Sequence, residues 1–221
     1  MKLLFEATIK YLIGIIIVGL LIFIPAGTLN YFNGILFMCL LFIPMFIVGI
    51  VLFIKNSSLL RSRLDSKEKN NDQKEVLIFS ALLFIIGFII AGLNFRYKWI
   101  ELPNIVIIIS SIIFILSYIL YAEVLRENKY LSRTIEVSKD QKVIDKGLYS
   151  VVRHPMYLIT IFLFLSIPLI LGSIISFLIF LVYPFIIVKR IKKEEEVLSK
   201  KLKGYTEYKI KVKYRLIPFI W

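Results

Sequence analysis

The sequence predicts an all-α integral membrane protein, with four transmembrane helices followed by a C-terminal helical hairpin. Three observations carry that expectation. Of 221 residues, 59% are hydrophobic and 19% charged, and the mean hydropathy is +0.84, well outside the range of a soluble domain. The charges are segregated, which leaves uncharged apolar runs of the ~20-residue order that a membrane-crossing helix needs. The basic residues also collect in alternate loops, as expected when one side of a membrane is preferred.

The first run, 11–25, follows Lys2 and Lys10. Further runs downstream favour an uncleaved span over a signal peptide. The second, 31–54, holds Pro44, which predicts a kink. It also holds the only cysteine, Cys39, expected as a small buried hydrophobe rather than half of a disulfide. The third, 76–95, carries Gly87 and Gly92, where neighbouring helices can approach closely. The fourth is 102–122. All four should be helical, because a lipid-exposed backbone has to satisfy its own hydrogen bonds.

The last apolar run, 155–188, is 34 residues without a charge. As one straight helix it would reach about 51 Å, against a hydrocarbon core of about 30 Å. Pro168 and Gly172-Ser173 near its middle are break signals. It is therefore either one kinked span or a hairpin turning near 168–173. Loop charge decides between them. A hairpin places 26 of the 28 Lys and Arg on one side, which is then the cytoplasmic side, together with both termini. A single span would export a tail carrying eleven of them. Residues 1–125 are thus the N-terminal helices, and 126–221 are the region containing the hairpin and the tail.

The basic surplus is explained by attraction to anionic headgroups. No nucleic-acid-binding module accompanies it, so no nucleic-acid partner is expected. The spans carry no internal charge, which argues against an ion path.

The polar residues at the mouth of the hairpin are the candidates for chemistry. Gly147-Leu148-Tyr149 leads into Arg153-His154-Pro155-Met156-Tyr157, which contains the only histidine. The residue before a proline is pushed out of the helical region, and proline suits the first turn of a helix. A helix starting at Pro155 would leave the N–H groups of Met156, Tyr157 and Leu158 free, a seat for a carboxylate or phosphate beside Arg153 and His154. The alternative is that Arg153 and His154 only anchor the helix at the headgroups. Arg190 and Glu194, four apart with Leu198 one turn on, share a helical face. Gly204-Tyr205 through Tyr208, and the aromatic and basic residues to Trp221, suit an interfacial segment serving as lid or anchor.

In this order, these residues resemble the isoprenylcysteine carboxyl methyltransferase family and its bacterial relatives, including phospholipid methyltransferases. The likeness lies in Gly147-Leu148-Tyr149, Arg153 to Tyr157, Leu171-Gly172-Ser173, Arg190, Glu194-Glu195, Leu198, Gly204-Tyr205 to Tyr208, and Arg215-Leu216-Ile217-Pro218. It covers about 126–221. Pro25-Ala26-Gly27-Thr28-Leu29 is similar to a bacterial subgroup. The resemblance implies a membrane methyltransferase dependent on S-adenosyl-L-methionine, with a cytoplasmic cofactor pocket in the C-terminal half. It implies that Gln141, Lys142, Val143, Ile144 and Tyr149 line the cofactor. Arg153, His154, Pro155, Met156 and Tyr157 would hold its amino-acid end, with Glu194 and Glu195 accepting hydrogen bonds. Arg190 would bind the substrate and, with Glu194, serve catalysis. No metal is implied. The acceptor would be lipophilic, either a prenylated carboxylate or a lipid. The competing expectations are a membrane sterol or enone reductase using NADPH, and a non-catalytic scaffold.

Overall fold

A computed structural model of the protein describes residues 2–64, 71–131, 137 and 140–221. The loop residues Lys67, Lys69, Arg133 and Lys139, counted above with the basic side, lie outside them. The helices are α1 (Lys2–Ala26), α2 (Phe32–Lys55), α3 (Ser57–Leu64), α4 (Asn71–Tyr97) and α5 (Asn104–Glu127). After a 3₁₀ turn at Gly147–Ser150 come α6 (Pro155–Ile170), α7 (Ile174–Phe180), α8 (Tyr183–Lys201) and α9 (Tyr205–Lys211). No strand occurs among the described residues. The all-α membrane architecture is as expected: α1, α2, α4, α5 and the stretch Ile174–Lys201 are each long and apolar enough to cross a bilayer.

The four N-terminal runs become α1, α2, α4 and α5. The helices run on beyond the uncharged residues, because Lys, Glu and Arg are good helix formers where an end meets water. Pro44 lies inside α2, which continues through it. Large apolar side chains such as Ile16, Phe46, Ile109 and Leu116 point outward, the inverse of a soluble protein and the pattern a lipid-facing surface needs. Cys39, expected in the interior, lies on this exposed face instead. Its short apolar thiol is as compatible with lipid as with a core.

Gly92 lets two backbones meet: a Cβ there would lie 2.6 Å from the Ile22 carbonyl oxygen, so α1 and α4 pack against each other at that point. Gly87 opens space for the Phe180 ring of α7. That ring stands edge-on to Phe84, with centroids 5.1 Å apart. Phe37, Phe88 and Phe114 fill the layer behind, with centroids about 6 Å apart.

The hairpin forms, turning at Leu171–Ser173, while Pro168 stays inside α6. Ser173 caps α7 by accepting from the Ser176 N–H at 3.2 Å. The tip is fastened by neutral groups. The Tyr31 hydroxyl donates to the Leu171 carbonyl, Asn94 Nδ2 to the Gly172 carbonyl at 3.3 Å, and Ser176 Oγ to the Gly87 carbonyl at 2.8 Å. Tyr31 immediately precedes α2 and Asn94 lies in the last turn of α4, so the tip is level with those helix ends. The second arm divides at Leu181-Val182, one turn before Pro184, which has no N–H to offer the Phe180 carbonyl.

Candidate active site

The site lies at the base of the hairpin, at the end of the bundle where the basic loops collect. Gly147 adopts φ +58°, and a Cβ there would fall 1.7 Å from a Glu127 carboxylate oxygen. Glu127 sits that close because it accepts from the Leu148 N–H at 3.0 Å, which ties the end of α5 to the 3₁₀ turn. The turn buries Tyr149. Its hydroxyl accepts from Asn128 Nδ2 at 3.1 Å, and its carbonyl accepts from the Tyr208 hydroxyl of α9 at 2.7 Å.

His154 lies outside the helical region, at φ −127° and ψ 58°, with Pro155 as the first helical residue, as the sequence predicts. The anion seat differs. Tyr157 and Leu158 both donate their N–H to the His154 carbonyl, at 3.1 and 3.4 Å. Two of the three donors expected to be free are therefore taken, because His154 folds its carbonyl over the first turn.

Arg153 and His154 are held from behind by Glu195, which is only 3% exposed. Its carboxylate accepts from Arg153 Nε at 2.6 Å and from Arg215 Nε at 2.8 Å, and it lies 3.3 Å from His154 Nε2. Arg153 Nη1 donates to the carbonyls of Val212 and Lys213 at 2.7 and 2.8 Å. The main chain repeats the connection: the N–H groups of Arg153 and His154 donate to the carbonyls of Tyr214 and Arg215, each at 2.9 Å. The tail is thereby stitched to the hairpin mouth. A buried charge has to be paired and hydrogen-bonded to persist, and Glu195 is satisfied by three groups at once.

In front of this cluster lies a cavity that opens to solvent. Of the candidates named from sequence, Gln141, Lys142, Val143, Ile144, Tyr149, Arg153, His154, Met156, Tyr157, Arg190 and Glu194 all line it. Pro155 and Glu195 are not in its wall; Glu195 is engaged by Arg215 of the tail instead. Leu198, on the same α8 face as Arg190 and Glu194, also lines the cavity. Sequence reasoning missed Asn128, Tyr130, Leu131 and Leu202 as lining residues, and named Tyr205 and Tyr208 only as parts of a lid or anchor. The spacing of Tyr205 and Tyr208, three apart on α9, is the signal that puts both rings on one face.

Arg190 and Glu194 are joined through Tyr157: Arg190 Nε donates to the Tyr157 hydroxyl at 2.9 Å, which donates to Glu194 Oε2 at 2.6 Å. A guanidinium and a carboxylate are thus fixed on one wall by a shared phenol. Burial pushes the phenols of Tyr149 and Tyr208 above their ordinary value, so both stay protonated hydrogen-bonding groups at neutral pH. The cavity combines one carboxylate in Glu194, cations in Lys142, Arg153 and Arg190, and apolar side chains in Val143, Ile144 and Leu198. That set suits a ligand with a charged end and a flat or apolar remainder.

Residues 107–200 match the family model of the isoprenylcysteine carboxyl methyltransferase (ICMT) family. The match starts within α5 and stops near the end of α8, before α9 and the tail. No curated protein matches the chain.

Proposed function

We propose that the chain, whose residues 107–200 match the isoprenylcysteine carboxyl methyltransferase family model, transfers a methyl group from S-adenosyl-L-methionine to an acceptor held in the membrane. The observation that carries this reading is the convergence of residues from 141 to 194 on one cavity. The cavity's mix of charged side chains of both signs with apolar walls fits a cofactor that is zwitterionic at one end and aromatic at the other. In this reading Gln141 to Ile144 and Tyr149 hold the nucleoside part, and His154, Met156, Tyr157 and Glu194 hold the amino-acid end. Arg153 lines the same end of the cavity, and Pro155 and Glu195 support that wall from behind. When bound, S-adenosyl-L-methionine supplies an electrophilic methyl group on a sulfonium centre.

The chain's own contribution is positioning and charge placement. Arg190, fixed by Tyr157, binds an anionic acceptor such as an isoprenylcysteine-type carboxylate or an acidic lipid group. A carboxylate acceptor is ionised at neutral pH and needs no base. An amine acceptor must lose a proton, for which the cavity offers Glu194 and His154; Glu195 is committed to Arg153 and Arg215. The basic end of the bundle faces the cytoplasm in this reading, by the loop-charge rule, with the bilayer and a lipophilic acceptor as partners.

Calorimetry of the purified protein with S-adenosylhomocysteine and with NADPH tests the cofactor. Binding of the first alone is expected; binding of NADPH alone would favour a reductase, and of neither a scaffold. Arg190→Ala is expected to lower kcat/KM for a carboxylate acceptor about 100-fold or more, the scale of losing one partner of a buried charged contact. An equal loss with an amine acceptor would remove Arg190 from the acceptor site.

A further inference from the structure

Among the described residues, Tyr205 Oη is the one buried side-chain polar atom with no hydrogen-bond partner. The residue is 4% exposed and lines the same cavity as Glu194. It follows Gly204 at the start of α9, and its ring packs among Leu202, Tyr208, Val212, Val143 and Leu198. A ring needed only to fill that space would be served by phenylalanine. A hydroxyl placed there and left unpaired costs stability, and buried polar groups are almost always paired. The neighbouring phenol shows the contrast, because Tyr208, 5.7 Å away ring to ring, donates to the Tyr149 carbonyl.

The surroundings of Tyr205 specify what would pair with it. The Glu195 and Glu194 carboxylates and the Arg153 guanidinium all act on its hydroxyl electrostatically. Burial pushes the phenol up, so it remains both donor and acceptor at neutral pH. A group that enters between Glu194 and Tyr205 must carry its own donors or acceptors and be compatible with paired charges of both signs. An α-amino acid end, with an ammonium and a carboxylate, meets that demand; a nucleobase face or a hydrocarbon does not.

We infer that Tyr205 is a ligand-binding residue whose hydroxyl is completed by the aminoacyl end of the bound S-adenosyl ligand. This rests on the cofactor proposed above and assigns it one contact, made from the tail beyond residue 200, where the family match stops. The hydroxyl has under 1 Å² of accessible surface, so the side chains around it have to shift for a ligand to reach it.

The test uses the full chain, purified, as wild type and as Tyr205→Phe. S-adenosylhomocysteine affinity is expected to fall about tenfold in the variant, the scale of one hydrogen bond to a charged group. Affinity for 5′-methylthioadenosine, which lacks the aminoacyl end, should change by less than about twofold, since that ligand has no group for the hydroxyl to meet. The ligand-free melting temperature of the variant should equal or exceed that of the wild type, because the unpaired oxygen is gone. Unchanged S-adenosylhomocysteine affinity would overturn the assignment while leaving the cofactor reading intact. Equal losses for both ligands, or a lowered ligand-free melting temperature, would overturn it by making Tyr205 a nucleoside contact or a structural group. A wild type that binds neither ligand would overturn the cofactor reading and this assignment with it.

Discussion

The two ends of the hairpin are held by opposite chemistry. At the tip, the carbonyls of Leu171 and Gly172 accept from the neutral side chains Tyr31 and Asn94. At the base, Glu195 gathers Arg153, His154 and Arg215 around one buried carboxylate. Neutral donors can satisfy a carbonyl in a low-dielectric region without the desolvation cost of an ion. A buried ionic cluster costs more to build, but it specifies geometry strongly once every donor is matched. In this protein the ionic end is the one that shapes a cavity.

The comparison can be tested from the largest expected effect downward. Glu195→Gln leaves Arg153 and Arg215 facing a neutral group and is expected to cost about 3–5 kcal/mol, the scale of an uncompensated buried charge. Denaturation in detergent would measure it, and proteolysis after α9 should rise as the tail comes loose. If the double variant Glu195→Leu with Arg153→Leu is as unstable as the single one, charge pairing is not what holds the base. At the tip, Tyr31→Phe removes one neutral hydrogen bond and is expected to cost about 1 kcal/mol. It should leave ligand affinity at the base unchanged; a weakened affinity would mean the two ends are coupled.

The smallest effect concerns an exposed ion pair at the rim. The Lys211 ammonium, 2.7 Å from the Asp145 carboxylate, holds that carboxyl below its ordinary value. A folded-state pKa below the unfolded one adds stability that is fully present above the unfolded value, near 4, and is lost as pH falls through the folded value. The melting temperatures of wild type and Asp145→Asn should therefore differ slightly at pH 7 and converge below about pH 4. A gap that persists in acid would assign the effect to something other than this pair.

The sequence made the membrane helices and the hairpin legible because hydrocarbon thickness and loop charge are coarse, additive constraints. Pro155 at the first helical position and the shared face of Arg190, Glu194 and Leu198 follow from local backbone rules and helical period. The short elements were not legible. The helices α3 and α9 are polar pieces, and the contacts of the short elements, such as Glu127 with Leu148 and Tyr149 with Tyr208, lie far along the chain. The free N–H count at α6 failed for a similar reason, since the turn of one carbonyl at His154 decides it. Glu195 is expected at the cofactor only through the family resemblance. That Glu195 lies behind the wall, joined to the tail at Arg215, is a tertiary fact with no periodic signature.

The stitching of the tail to the hairpin mouth also sets an order of events in synthesis. Arg153 is bonded to a carbonyl 60 residues further along the chain. At about 5–20 residues per second, the ribosome needs roughly 3–12 seconds to produce that stretch. During that interval the guanidinium of Arg153 has none of its tail partners, so the pocket can close only after residues made well after Arg153 have folded back onto the hairpin mouth.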